Sequence, residues 1–183
     1  RRAALAVDEI RLIDGEPTTV AAYEAAGETD EWYTPRYIFE ALGERFDLDV
    51  AAPNDGPRHV PTSGWLSSDA LAQPWHGFIW MNPPFGHQST KRKWLAKFFA
   101  HGNGIALVPD RTSAPWFQEY GPRADAILWV SPKIKFERPD GTRGDWPGTG
   151  TALFGVGRRA VAALHRSKLG FVTVAHRLDE MAV

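Results

Sequence analysis

Two adjacent prolines, Pro83 and Pro84, follow four apolar residues, Phe78 to Met81, with only Asn82 between them. They fix two φ angles and remove two backbone donors, so whatever element precedes them has to stop there. A short apolar run bounded by a turn reads as a buried strand. The chain is thus predicted to run a core strand into a rigid loop, Asn82-Pro83-Pro84-Phe85-Gly86. Open α/β sheets place ligands at the carboxyl ends of strands. This loop is rich in carbonyls and poor in N–H groups, which is wrong for a phosphate. It suits a planar nitrogenous group carrying an NH2: the Asn82 side-chain carbonyl and the Pro83 main-chain carbonyl each accept one amine hydrogen, and Phe85 stacks on the ring. The competing reading is a plain turn after a core strand, with Phe85 in the core.

The surrounding pattern predicts an α/β domain with a mostly parallel sheet. Thr34 reads as an N-cap with Pro35 at the first helical position, ahead of the apolar stripe Ile38, Phe39, Leu42 and a stop at Gly43. Strands are predicted at Phe46 to Ala52, Phe78 to Met81, Ile105 to Pro109, Ala126 to Val130, Thr151 to Val156 and Phe171 to Ala175, with an edge piece at Ile134 to Phe136. Helices are predicted at Lys91 to Ala100, Ser113 to Tyr120 and Arg158 to Ser167. Pro53 to Gly56 reads as a turn, and Leu66 to Leu71 as a strand-to-turn passage ending at Asp69. The stretch from Glu137 to Gly150 is a loop long enough to expect a functional role. Residues 1–30 read as a peripheral segment with short helical stretches at 3–6 and 20–26, and 31–183 as one catalytic domain.

The 183 residues suffice for a single core, and no run of eighteen apolar residues is present. The absence of cysteine excludes disulfides, thiolate nucleophiles and Cys-ligated zinc. His59, His76, His87 and His101 lack ligand spacing, so no metal is expected. Charge is segregated. Residues 1–60 carry six Arg and no Lys against thirteen Asp/Glu, whereas 86–145 carry ten Lys/Arg against six Asp/Glu. A polyanion would meet the second half.

The order of these pieces resembles the phage-type, Dam-like DNA N6-adenine methyltransferases. The resemblance runs from about Asp30 to Val156. It is carried by Glu31-Trp32-Tyr33-Thr34-Pro35, Leu48-Asp49-Val50-Ala51-Ala52, Asp69-Ala70-Leu71 with Trp75 behind, and Met81-Asn82-Pro83-Pro84-Phe85-Gly86. It implies a Rossmann-like class I methyltransferase fold with an antiparallel closing strand, and S-adenosylmethionine as cofactor. It places Thr34, Pro35, Asp49, Ala51, Asp69 and Asn82 at the cofactor, with Asp49 toward the methionyl part and Asp69 at the adenine amine. Asn82, Pro83, Pro84 and Phe85 would handle the target base. The glycine-rich loop such folds carry after the first strand is missing, and there is little room between Ala52 and Asp69 for a second strand. The sheet is expected to be abbreviated, with Asp55 a candidate for the ribose.

The implied reaction is methylation of N6 of a flipped-out adenine in DNA. Methylation of RNA or of a protein glutamine amide, and a DNA-binding relative without catalysis, are the alternatives. DNA contacts are expected from Lys91, Arg92, Lys93, Arg111, Lys133, Lys135, Arg138 and Arg143. The protein is expected to be a cytoplasmic monomer needing no protein partner and no membrane.

Overall fold

The computed structural model describes residues 11–13, 16–18, 32–84, 88–144 and 148–174. Strands β1 (Arg11–Ile13) and β2 (Glu16–Thr18) pair antiparallel in a sheet of their own. The expected helical stretches at 3–6 and 20–26 lie outside the described residues. The body begins with helix α1 (Arg36–Leu42) and continues through β3 (Leu48–Asp49), β4 (Ile79–Met81), α2 (Gln88–His101), β5 (Gly104–Pro109) and α3 (Pro115–Tyr120). It ends with β6 (Ala126–Val130), β7 (Thr151–Val156), α4 (Arg158–Ser167) and β8 (Gly170–Val174).

The main sheet has six strands in the order β3-β4-β5-β7-β6-β8. It is not mostly parallel: β3–β4 and β4–β5 are parallel, but the other three pairings are antiparallel. The cause is β7, the expected closing strand. It runs against its neighbours as anticipated, but it lies inside the sheet, and β8 adds an antiparallel edge beyond β6. Strands buried on both faces look alike in either direction, so the apolar runs could not report this.

Both faces are packed. Along β4, β5 and β7 successive side chains alternate between two cores. Trp80, Ile105, Leu107 and Leu153 join Phe39, Leu42 and Leu164 from α1 and α4. Ile79, Met81, Ala106, Val108 and Phe154 join Leu95, Phe98, Trp116 and Phe117 from α2 and α3. Each such large side chain taken fully out of water contributes about 1.5–3 kcal/mol. Phe46 stacks on Phe78 at 5.1 Å and lies 5.6 Å from Trp80, which fixes the start of the motif-bearing strand. Gly77 enters that strand at φ +65°, and the Asp47 carboxylate fills the space a Cβ would need while accepting the Phe78 N–H at 2.7 Å. On the other side of α1, Glu44 receives Arg159 and Arg166 at 2.8 and 2.7 Å. Burial alone would raise the Glu44 carboxyl, but these two guanidinium bonds hold it below the usual range.

Several boundaries differ from the sequence reading. The strand expected over 46–52 is regular only at 48–49. Helix α3 starts at Pro115, which takes the first helical position, rather than at Ser113. Residues 134–136 form no strand, although Ile134 and Phe136 are buried as core. An irregular segment lies where room for a second strand was short. Residues 61–66 run alongside 46–52 through bridges Phe46–Thr62 and Asp49–Trp65 and through the bonds Asp49 N–H to Gly64 O and Leu66 N–H to Asp49 O. No helix intervenes, so the eight residues 53–60 were enough to lay it there.

Candidate active site

The carboxyl ends of β3 and β4 lie side by side, since Asp49 pairs with Trp80, two residues before Asn82. Asn82 is partly buried, Pro83 buried and Pro84 exposed; Phe85 lies outside the described residues. The Asn82 Nδ2 group donates to the Trp32 carbonyl at 3.4 Å and to the Thr34 hydroxyl at 3.3 Å. A main-chain carbonyl only accepts, so the amide orientation is fixed: nitrogen toward residues 32–34, Oδ1 away from them. Neither Oδ1 nor the Pro83 carbonyl takes a hydrogen bond from the described residues. Among the described residues, two acceptors therefore stand unpaired at the end of the strand.

This arrangement explains why Thr34 is not the N-cap. The cap of α1 is Pro35, in extended conformation with no side-chain capping bond. Thr34 is only 4% exposed, and its hydroxyl is committed to Asn82. Pro35 is buried beside it.

Asp49 is 3% exposed, and among the described residues its carboxyl has one partner, the Ala51 N–H on Oδ1 at 3.1 Å. Burial pushes the group up to about 7, the Ala51 bond opposing in part. A buried carboxylate with a spare oxygen at a strand end is equipped to hold a cation. Ala51 contributes its backbone to this site rather than a side chain.

Asp69 is exposed and adopts φ +49°, a left-handed conformation uncommon outside glycine. Its carbonyl closes the turn by accepting the Ala72 and Gln73 N–H groups. The turn is clamped from α2: Lys97 Nζ donates to the carbonyls of Ala70, Leu71 and Gln73 and sits 4.8 Å over the Trp75 ring. Burial lowers the Lys97 ammonium from its ordinary value. Trp75 adds its indole N–H to the Ala70 carbonyl at 2.9 Å.

The family model for DNA N-6-adenine-methyltransferase (Dam) matches residues 23–153. The chain belongs to that family. It is also 27% identical over 158 residues to a DNA N-6-adenine-methyltransferase of Escherichia phage T1, a match covering 82% of this chain and 64% of that relative. The chain thus spans just under two thirds of the relative's length. No solved structure matches it.

The basic residues expected at DNA are unequally placed. Lys91 is 4% exposed, with Nζ 6.0 Å over the Trp116 ring, so it is a core lysine and not a surface contact. Arg92 is exposed but pairs with Glu119 at 3.2 Å. Lys93, Lys133 and Arg143 are exposed, and Arg111, Lys135 and Arg138 partly so. Among the described residues no helix is long and apolar enough to cross a membrane. Sequence reasoning missed Trp32, whose carbonyl orients Asn82, and Trp65, which stands 52% exposed beside Asp49. It also missed Lys97, which looked like one more basic residue on a helix. The two tryptophans gave a usable signal: an aromatic outside any apolar periodicity.

Proposed function

We propose that this protein transfers a methyl group to N6 of adenine in DNA, with residues 31–183 forming a Rossmann-like class I methyltransferase domain that uses S-adenosylmethionine. Four strands of the main sheet run one way with β7 reversed among them, and the candidate site lies at the carboxyl ends of β3 and β4, where such sheets hold ligands. Membership of the Dam family supports the reaction class.

The residues present fit the cofactor. Asp49, buried with one oxygen spare, suits the cationic methionyl end, with the Thr34-Pro35 segment and the Ala51 backbone alongside. Asp69 presents an exposed carboxylate to an amine from a strained, clamped turn. When bound, S-adenosylmethionine supplies an electrophilic methyl group on a sulfonium.

The observation that carries the proposal is the fixed amide of Asn82. With its nitrogen held by Trp32 and Thr34, Oδ1 and the Pro83 carbonyl accept the two hydrogens of an exocyclic amine and aim its lone pair outward. Pro83 and Pro84 keep those carbonyls from shifting, and Phe85 stacks on the base. Such orientation is worth up to roughly 7–11 kcal/mol in well-aligned cases. The base has to leave the duplex to reach the loop. Lys93, Arg111, Lys133, Lys135, Arg138 and Arg143 hold the phosphates that position it.

Transfer of labelled methyl from S-adenosylmethionine to adenine-containing DNA, to adenine-free DNA, to RNA and to protein tests the proposal. Label is expected on adenine-containing DNA alone. Label on RNA or protein instead, or no transfer with cofactor still bound, would overturn it.

A further inference from the structure

We infer that Glu137 and His59 are positioning residues for Asn82, and that the 137–144 hairpin ties DNA contact to the orientation of that asparagine. The inference rests on the reading of Asn82 as the group that holds the target amine.

The segment 32–35 that anchors Asn82 belongs to no helix or strand of its own. It is held by a closed backbone pair: the Tyr33 N–H to the Glu137 carbonyl and the Glu137 N–H to the Tyr33 carbonyl, both 2.9 Å. Glu137 is pinned in turn through its side chain, whose Oε2 lies 2.7 Å from His59 Nε2. A carboxylate accepts, so Nε2 carries the hydrogen. His59 Nδ1 is then buried with no partner among the described residues, so the ring is placed for Glu137 and not for its own full satisfaction. The preceding residue, Arg58, lays its guanidinium 4.6 Å over the Tyr33 ring. Adjacent residues of one loop thus grip both members of the Tyr33–Glu137 pair.

The hairpin reaches the same anchor by two further contacts. Arg138 sits 5.6 Å over the Trp32 ring while donating to the Arg143 carbonyl at 3.0 Å. Gly144 bonds back to the Phe136 carbonyl at 2.7 Å, and the Trp32 indole occupies the space a Cβ at 144 would need. The tip, with Asp140, Gly141, Thr142 and Arg143, is exposed. A phosphate drawn to Arg143 therefore pulls on an element whose base is paired, through Glu137 and Tyr33, to the segment that carries the carbonyl and hydroxyl that orient Asn82. Those two bonds, at 3.3 and 3.4 Å, are near the outer limit for hydrogen bonding, so a small displacement of residues 32–34 releases the amide.

The test is single-turnover methyl transfer at saturating cofactor and DNA, with separate cofactor and DNA affinities, on four variants. Glu137→Ala and His59→Leu are expected to slow transfer about tenfold or more, since misplacement by an ångström costs on the order of a hundredfold, with both affinities held within about twofold. Glu137→Gln keeps the acceptor and His59→Gln keeps the donor, so both are expected within about threefold of the parent. Wild-type transfer by Glu137→Ala, equal loss in its Ala and Gln forms, or a loss expressed as weaker cofactor binding would overturn the inference. An inactive Asn82→Ala alongside an unimpaired Glu137→Ala sinks this inference alone. An active Asn82→Ala sinks the reading on which it rests.

Discussion

The Asn82 side-chain nitrogen donates to the hydroxyl of Thr34, 48 residues upstream and 3.3 Å away. The hydroxyl at the threshold of α1 is thereby tied to the candidate site and not to the helix cap. With its nitrogen directed at residues 32–34, Asn82 keeps a carbonyl oxygen that has no partner among the described residues.

Thr34→Val should therefore slow methyl transfer by about fivefold to tenfold, the loss of one hydrogen bond of roughly 1–1.5 kcal/mol, while helix α1 and thermal stability change little. Thr34→Ser should retain the rate. Single-turnover kinetics on both variants separate this role from capping, which would cost stability in the valine form.

Asp49 carries a pH dependence of known sign. Its folded value near 7 exceeds the 3.8 of the free side chain, so the proton is held more tightly in the folded state. Its contribution to stability is complete below the unfolded value and is lost as pH rises through about 7, a difference on the order of 4 kcal/mol. Asp49→Asn should therefore stabilise the cofactor-free protein at pH 8 and weaken cofactor binding. Urea melts at pH 5 and 8 check the first part. Calorimetry in two buffers at pH 6.5 checks the second, since binding a cation at an ionised Asp49 releases a proton in the parent protein and none in the variant.

Lys97→Met removes the three-carbonyl clamp from the turn that holds Asp69 in its left-handed conformation. Cofactor affinity should fall about tenfold, matching the roughly 1.5–3 kcal/mol of a charged hydrogen bond, with DNA affinity unchanged. An unchanged cofactor dissociation constant in a folded Lys97→Met protein removes the turn from the site.

DNA binding should weaken with salt, and the slope should shrink by roughly one unit for each phosphate contact removed. Arg143→Ala and Lys93→Ala, at two of the exposed candidates, should each weaken binding across sequences alike. Lys91→Met should leave the slope unchanged because that ammonium is buried against Trp116. Titrations of the combined Lys93/Arg143 alanine variant at several salt concentrations decide it, and an unaltered slope places the DNA elsewhere.

The elements legible in the sequence were those with strong local signals. β6 and β7 have the expected bounds because their apolar runs end at turns, and α4 because its apolar stripe stops at Lys168. Strand direction was not legible, since residues 151–156 are apolar on both faces. Residues 61–66 escaped notice because Pro61 and Gly64 break any alternation, and the pairing with 46–52 comes from backbone bonds alone. At the candidate site, Asn82-Pro83-Pro84 was readable as a loop that ends a buried strand. Its anchor was not: the contacts with Trp32, Thr34 and, through Tyr33, Glu137 join positions far apart in the chain. The same holds for Lys91 and Lys93, two residues apart on α2, one buried and one exposed.

The central claim is that Asn82 orients the target amine and leaves cofactor binding to other residues. Nucleoside mass spectrometry of adenine-containing DNA incubated with S-adenosylmethionine and either the parent protein or Asn82→Ala tests it most directly, with calorimetry of both for the cofactor. N6-methyladenine should accumulate with the parent and be absent with the variant, while the cofactor dissociation constant stays within about threefold, as expected for a residue that acts on orientation. N6-methyladenine formed by Asn82→Ala at a rate near that of the parent would contradict the account.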